Sequence, residues 1–382
     1  MQIGPPQIGS PICTGWCNHR IGKHTAHSGL RLASHQATVF PFKKPTTVTL
    51  RFACALTALG LTTLSSAVLA QESSLQIYGR INTSVEHTKI QGQSGVTGLR
   101  DNESFFGLRG SEALGGGLSA GFVLESGFNA DTGAGMSDDS DGLSFNRKSE
   151  VNLSGTFGML RLGNMTSEAY YATADVVNAH NFDTGTSADA LYAFVSHGRN
   201  HVSYRTPTWN DLTVEVGTSL HEKTSEPAKN AWDAAATWER GDWSFGLGYG
   251  DWGPAKQATL RATYALNDSW TFSAYHQYSR GWDHANFAVD TAQGGRHTTR
   301  VAAIYTRGPS EYHVNVGYAG KAGHQAETQA LQWTLAYNYN FSKRTKVYAL
   351  FTKVNNRAQA SYATGEQGVG LRSFGVGLRQ YF

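Results

Sequence analysis

From residue 75 onward the chain alternates apolar and polar positions with a period of two. In Trp243-Ser-Phe-Gly-Leu-Gly-Tyr249 every second residue is large and apolar, and those between are small or polar. Tyr312-His-Val-Asn-Val-Gly-Tyr318 repeats the pattern, and Leu331 to Phe341 sustains it over eleven residues. Leu212, Val214, Val216 and Leu220 alternate in the same way with Thr213, Glu215, Gly217 and Ser219. Successive strand side chains point to opposite faces, so each segment predicts a strand with one apolar and one polar face. The segments run to about 9–12 residues, longer than most soluble strands and long enough for a tilted membrane crossing. Aromatics close the apolar faces (Trp243 and Tyr249, Tyr312 and Tyr318, Trp333 and Phe341), as an interfacial girdle requires.

Short turn sequences separate these segments at 114–117, 155–158, 207–211, 240–242, 266–269, 307–310 and 341–344, each with Gly, Asn, Asp or Pro. Longer polar segments fall between them, near 87–102, 130–142, 165–197, 221–229, 251–255, 280–296, 321–328 and 355–369. Seven turns and eight loops make fifteen connections and therefore sixteen strands, an even number that brings both termini to one side. The expected fold is all-β: a 16-stranded antiparallel transmembrane barrel, closed because an open sheet edge in lipid leaves backbone groups unpaired. A mean hydropathy of −0.37 agrees, since half of each strand would face water.

Charge refines the picture. The net charge of +3 comes from the first 70 residues, which hold six of the 32 Lys and Arg and no acid. From Glu72 onward 26 basic groups meet 29 acidic ones, so the basicity is no evidence for nucleic acid as a partner. Lys43, Lys44 and Arg51 precede an apolar stretch, Phe52 to Leu61, that runs on to Val68-Leu-Ala70. This is the pattern of a signal peptide over 43–70, with cleavage after Ala70 and a mature chain from Gln71. Residues 1–42 are expected to be a disordered extension, from a start codon assigned too far upstream. Cys13, Cys17 and Cys54 all lie before the cleavage point. Cys13 and Cys17 with His19, His24 and His27 have irregular spacing for zinc, so no metal and no cofactor is expected.

The strands also resemble a known family, the trimeric general porins of Gram-negative bacteria, especially the β-proteobacterial branch. Leu75-Gln-Ile-Tyr-Gly79 resembles its first strand, and Gly107-Leu-Arg-Gly-Ser-Glu-Ala-Leu-Gly-Gly-Gly-Leu118 its second strand, first turn and third strand. Phe145-Asn-Arg147 with Val151-Asn-Leu-Ser-Gly-Thr-Phe-Gly158 is similar to strand four and its turn. Arg199-Asn-His-Val-Ser-Tyr-Arg-Thr-Pro207 resembles the strand after the third loop. Val376-Gly-Leu-Arg-Gln-Tyr-Phe382 resembles the C-terminal signal read by the barrel assembly machinery, with Phe382 as its terminal residue.

The resemblance implies a passive channel for small hydrophilic solutes and ions, with an inward-folded third loop whose carboxylates face wall arginines. The loop's candidates are Glu168, Asp175, Asp183 and Asp189, and those of the wall are Arg80, Arg109, Arg147, Arg161 and Arg199. Parity places Arg80 and Arg199 inward, the latter on a face with His201, Ser203 and Arg205. Arg147 shares parity with the outward Val151 and Leu153 and needs a bulge to turn in. Phe105 stands where the family usually has arginine, which argues for weak selectivity, near neutral or mildly for cations. The resemblance also implies a homotrimer. Ser84, Ser126, Lys148 and Glu150 are assigned lipid parity, where polar groups favour a subunit contact. Outer-membrane lipid and lipopolysaccharide are the other expected partners. The competing readings are an outer-membrane hydrolase, resting on His201 and Ser203, and a soluble secreted β-sandwich.

Overall fold

A computed structural model describes residues 73–135, 142–177, 185–193, 198–221, 229–283, 288–289 and 294–382. The expected leader and N-terminal extension lie outside these residues. Sixteen strands form one closed sheet. They are β1 (Ser73–Ile90), β2 (Val96–Asp101, resumed over Phe105–Gly115), β3 (Leu118–Gly127), β4 (Lys148–Gly155) and β5 (Gly158–Met165). After the third loop come β6 (Gly198–Arg205), β7 (Leu212–Ser219), β8 (Ala231–Arg240), β9 (Trp243–Trp252), β10 (Ala255–Ala265) and β11 (Trp270–Arg280). The wall is completed by β12 (Gly295–Arg307), β13 (Ser310–Ala319), β14 (Ala330–Asn340), β15 (Thr345–Asn356) and β16 (Leu371–Tyr381). Each strand pairs antiparallel with its neighbour, and β1 pairs with β16 from Arg80↔Tyr381 to Ile90↔Leu371, which closes the ring. No described helix is long and apolar enough to cross a membrane.

Burial is inverted relative to a water-soluble protein. On β9 the apolar Trp243, Phe245, Leu247 and Tyr249 are exposed on the outside, whereas Ser244, Gly246, Gly248 and Gly250 are buried inside. The same inversion on β1 exposes Leu75, Ile77, Ile81 and Val85 and buries Arg80, Asn82, Ser84 and Glu86. An apolar exterior around a polar interior is stable only with hydrocarbon outside, so the β-sandwich reading fails. At the short-turn end the outward rings form a belt: Trp243–Tyr264 (4.5 Å), Trp270–Tyr305 (4.8 Å), Tyr305–Tyr312 (6.0 Å) and Tyr312–Tyr337 (5.1 Å).

The seven short turns fall where the sequence puts them, but two expected loops are shorter. β1 and β2 run on through most of 87–102, leaving only 91–95 between them, and β9 and β10 are joined by Gly253-Pro254 alone. Polarity misled there: His87 and Lys89 are outward residues of a strand still in ladder register with β16. Within the same stretch β2 breaks at Asn102–Ser104, with Glu103 at φ 60°.

The chain end seals β1. Gly79 and Phe382 exchange backbone hydrogen bonds, N–H to O distances being 3.2 and 3.1 Å, and the Phe382 ring lies over Gly79. A Cβ at Gly79 would stand 2.4 Å from Phe382 Cζ and 2.6 Å from the Phe105 carbonyl oxygen. Gly79→Val should therefore cost about 1–3 kcal/mol of barrel stability by overpacking. The check is the urea midpoint for loss of the folded, heat-modifiable gel band, which should fall; an unchanged midpoint would contradict the closure described here.

Candidate functional site

The third loop begins where β5 ends at Met165 and folds into the barrel. Ser167 caps a short helix, α1 (Glu168–Ala172), its Oγ accepting from Ala169 N, and α2 (Ala174–Val177) follows. Beneath α1 the inner face of β9 presents glycines: Cβ atoms at Gly246 and Gly248 would lie 1.8 Å from Ala172 O and 2.6 Å from Ala169 O. The alternating glycines of β9 are thus a seat for the helix backbone, not a phosphate loop. Arg261 on β10 donates from Nε to Ala172 O (2.7 Å), satisfying a carbonyl at the helix C-terminus. Tyr170, Ala174, Val177 and Tyr192 of the loop pack on Tyr275 and Ala302 of the wall. Burial raises the pKa of the Tyr192 hydroxyl, which is bonded to Thr173, Gln257 and Thr259.

The returning limb is pinned more strongly. Asp189 binds Arg300 in a bidentate pair (2.7 Å from Nε, 2.6 Å from Nη2) and accepts from Tyr275 Oη at 2.6 Å. Both charged side chains are fully buried. Gln332 on β14 bonds Ala190 N and Ala188 O, and Gln277 on β11 bonds Ala193 N and O. Two side-chain amides thus replace the strand partner that this segment lacks. Thr186 donates from N and Oγ1 to Glu86 on β1 (3.2 and 2.7 Å). The loop therefore lines β8 to β15 and reaches β1, leaving the wall of β2 to β6 opposite it.

That wall is rich in charge. Phe105 lies inside, between the Arg80 and Arg147 guanidiniums (5.5 and 4.7 Å from its centroid) and edge-on to Tyr78. Arg80 donates to the carbonyl oxygens of Glu103 and Asn102. Arg147 pairs with Glu103 (2.6 Å) and approaches Glu125 (3.6 Å), and Glu125 also accepts from Tyr78 Oη. Arg109, half-exposed, donates twice to Gln76 Oε1 and stacks over Tyr78. Lower on β4 to β7, Lys148, Arg161 and Arg205 interlock with Glu150, Glu168 and Glu215 at 2.5–3.1 Å.

Several expectations need correction. Asp189 does not present a free carboxylate to the pore; it anchors the loop. Glu168 is taken up by Arg161 (3.1 Å) and Arg205 (2.5 Å). Asp175 is half-buried on α2, and Asp183 lies outside the described residues. Arg199 shares no clean face with His201, because Asn200 has φ 51° and the β5–β6 register shifts beside it; the side chain is exposed. Arg147 turns inward without a bulge, since it sits at a bend just before β4. Ser84, Lys148 and Glu150 face inward, not to lipid. Ser126 does have outward parity, opposite Phe106, but is buried. Ser203 donates to Glu215 (2.7 Å) and His201 bonds Ser219, so the pair forms no nucleophile and base.

Residues 55–359 match the family described as Gram-negative porin. The chain belongs to that family. It is an outer-membrane channel protein, not an enzyme. Outer membrane porin protein 32 of Delftia acidovorans is 29% identical over 86% of this chain and 99% of its own. An outer membrane porin protein of Bordetella pertussis is 26% identical over 84% and 99%. Among solved structures, the anion-selective porin from Comamonas acidovorans superposes with a TM-score of 0.67 at 24% identity, covering 81% of this chain and all of that one. The trimer form of OmpT from Vibrio cholerae gives a TM-score of 0.60 at 13% identity, covering 81% and 99%, a likeness of fold.

For this porin, the lumen residues that the sequence did not single out are Glu86, Glu103, Glu125, Glu215, Arg261 and Arg300, together with Gln277 and Gln332. Strand parity marks most of them as inward, but only pairing across non-adjacent strands shows which meet the loop. Removing one partner of a buried pair is strongly destabilising, by about 3–5 kcal/mol. Asp189→Ala should therefore release the returning limb of the loop. Single-channel recording should show a larger, noisier conductance, and Asp189→Ala with Arg300→Ala should be quieter than the single variant. Wild-type conductance in Asp189→Ala would contradict the anchoring role.

Proposed function

We propose that this porin is a weakly charge-selective diffusion channel, narrowed by the third loop, that leans toward anions. The carrying observation is the fate of the loop's acids: Glu168 and Asp189 are each held by arginine. The sequence expectation, near neutral or mildly for cations, assumed that these carboxylates stood free. On the inner wall Arg109, half-exposed, is bonded to a neutral amide and not to a carboxylate. Phe105 does more than delete a charge, because its ring orders Arg80 and Arg147 side by side. Rings of charge on an otherwise polar wall set ionic preference without a fixed solute site. The anion selectivity named for the Comamonas acidovorans porin agrees with this reading.

The chain is further proposed to act as a homotrimer, with residues 43–70 removed on export and Phe382 engaging the assembly machinery. The trimer reading rests on its family, one of whose fold relatives is described in trimer form. The inward turn of Ser84, Lys148 and Glu150 removes the polar outward face first invoked for it.

In a dilute salt gradient the reversal potential should indicate a small anion preference. Phe105→Arg should increase it and Arg109→Glu should reverse it. Both effects should shrink at 1 M salt, where the Debye length is about 3 Å. A cation preference in the native channel would refute the selectivity proposal. Light scattering in mild detergent should give three times the barrel mass, and a single-barrel mass would refute the trimer.

A further inference from the structure

On β11 and β12 the outward face is mainly apolar, with Trp270, Phe272, Val301 and Tyr305, yet it also carries two histidines. His276 and His297 are both exposed and stand diagonally across the two strands. His276 Nε2 and His297 Nδ1 are 3.1 Å apart, and the rings lie 5.2 Å between centroids at 28°. The other nitrogen of His276, Nδ1, is bonded to Thr299 Oγ1 at 2.8 Å. The two histidines are 21 positions apart in the chain, and the register of β11 on β12 brings them together. The third-loop anchors Tyr275, Gln277 and Arg300 use the inner face of the same strands, so the pair is separate from them.

Height on the wall decides whether ions reach the pair. Tyr249, Ala258, Tyr278 and His297 are partners in one row across β9 to β12. Tyr278 stands eight residues (278 − 270) above Trp270 of the short-turn belt. At about 3.4 Å per residue and a tilt near 40°, that is a rise of about 20 Å. The apolar band of such a barrel is about 25 Å tall. β11 ends two residues above Tyr278, at Arg280. The pair therefore lies near the loop-end margin of the band, within reach of water. Ionisable side chains at membrane depth are costly and mark sites of function.

Two imidazole nitrogens bonded to one metal at about 2.05 Å stand about 2.9 Å apart at a right angle and about 3.3 Å apart at the tetrahedral angle. The observed 3.1 Å falls between the two. With Thr299 accepting from Nδ1–H of His276, the Nε2 of that ring holds the lone pair a metal needs. His297 has only to carry its proton on Nε2, and a small turn of both exposed rings brings the lone pairs to one point. Among the described residues no third His, Cys, Asp or Glu joins them, so water completes the coordination. Two nitrogen donors with open positions suit copper(II) ahead of nickel and zinc, and do not suit magnesium or calcium. We propose that His276 and His297 form a copper(II)-binding site on the outer wall, clipping β11 to β12 near their loop ends. The competing reading is a hydrogen-bonded pair that takes no ligand.

The test uses untagged, metal-stripped mature porin in detergent, with copper(II) alone as the probe and electron paramagnetic resonance as the readout. One equivalent of copper(II) should give a tetragonal spectrum coupled to two imidazole nitrogens. Thr299→Val should keep that signal and weaken binding about tenfold, a typical cost of losing the group that orients a ligand. His276→Asn and His297→Asn should each lose the two-nitrogen signal and weaken binding further. Excess magnesium should leave the copper in place. Conductance and the heat-modifiable gel band should be unchanged in every variant, which reports folding, because these side chains face away from the pore. The proposal is overturned if the wild-type spectrum shows one nitrogen or none, which needs no variant to fold. It is overturned equally if folded His276→Asn or His297→Asn binds copper(II) like wild type, since the metal then sits elsewhere.

Discussion

Hydrocarbon offers no hydrogen-bond partners, so every backbone N–H and C=O that crosses it must be paired within the protein. Sixteen tilted strands meet that demand only as a ring, and here the last bonds are made between β1 and β16, down to Gly79 and Phe382. Closure then fixes what each side chain sees. Every second residue faces lipid, and the alternate set faces a lumen in which polar and charged groups surround small apolar clusters between loops and wall. Polar and charged groups can fill that interior if they satisfy one another, and nearly everything functional in this porin follows from how they do so.

The third loop shows how such an interior is organised. Its described residues form no strand, so their backbone must be bonded by the wall. Gln277 and Gln332 supply amide groups to its returning backbone, Arg261 and the bare glycines of β9 accept its helix, and Arg300 meets the deeply buried carboxylate of Asp189. The charges holding the loop are consequently not available to permeating ions. Anchoring and selectivity draw on different residues of the same lumen, which is why Asp189 and Glu168 cannot be read as eyelet acids although they lie in the expected segment.

The architecture was legible in the sequence because a strand's period of two is local. Trp243 to Tyr249 shows its faces without reference to any other strand, and each tight turn carries its own Gly, Asn, Asp or Pro. Parity also placed Arg80 inside. It failed where the backbone departs from a regular pleat: at Asn200 with its positive φ, at the bend before Lys148, and at 87–102, where polar outward residues near the lipid surface look like a loop. For Ser84 the alternation was sound, but the residue was assigned to the face opposite that of Arg80, with which it shares parity. The pairing of Asp189 with Arg300, 111 residues apart, depends on ring closure and has no signature in a single sequence. The approach of His276 to His297 is equally silent in the sequence, because it is set by the register of β11 on β12.

In the conducting channel the third loop is clamped against the inner wall. All three cysteines precede residue 55, so none lies in the barrel from Ser73 to Tyr381, which offers a clean background for thiol chemistry. Ala190→Cys combined with Gln332→Cys, joined by a short bifunctional thiol reagent, tests the clamp directly in a single open channel. The account predicts efficient cross-linking and the same conductance before and after it. Failure to cross-link in the folded barrel, or a conductance that drops when the link forms, would show that the loop does not rest against the wall while ions pass.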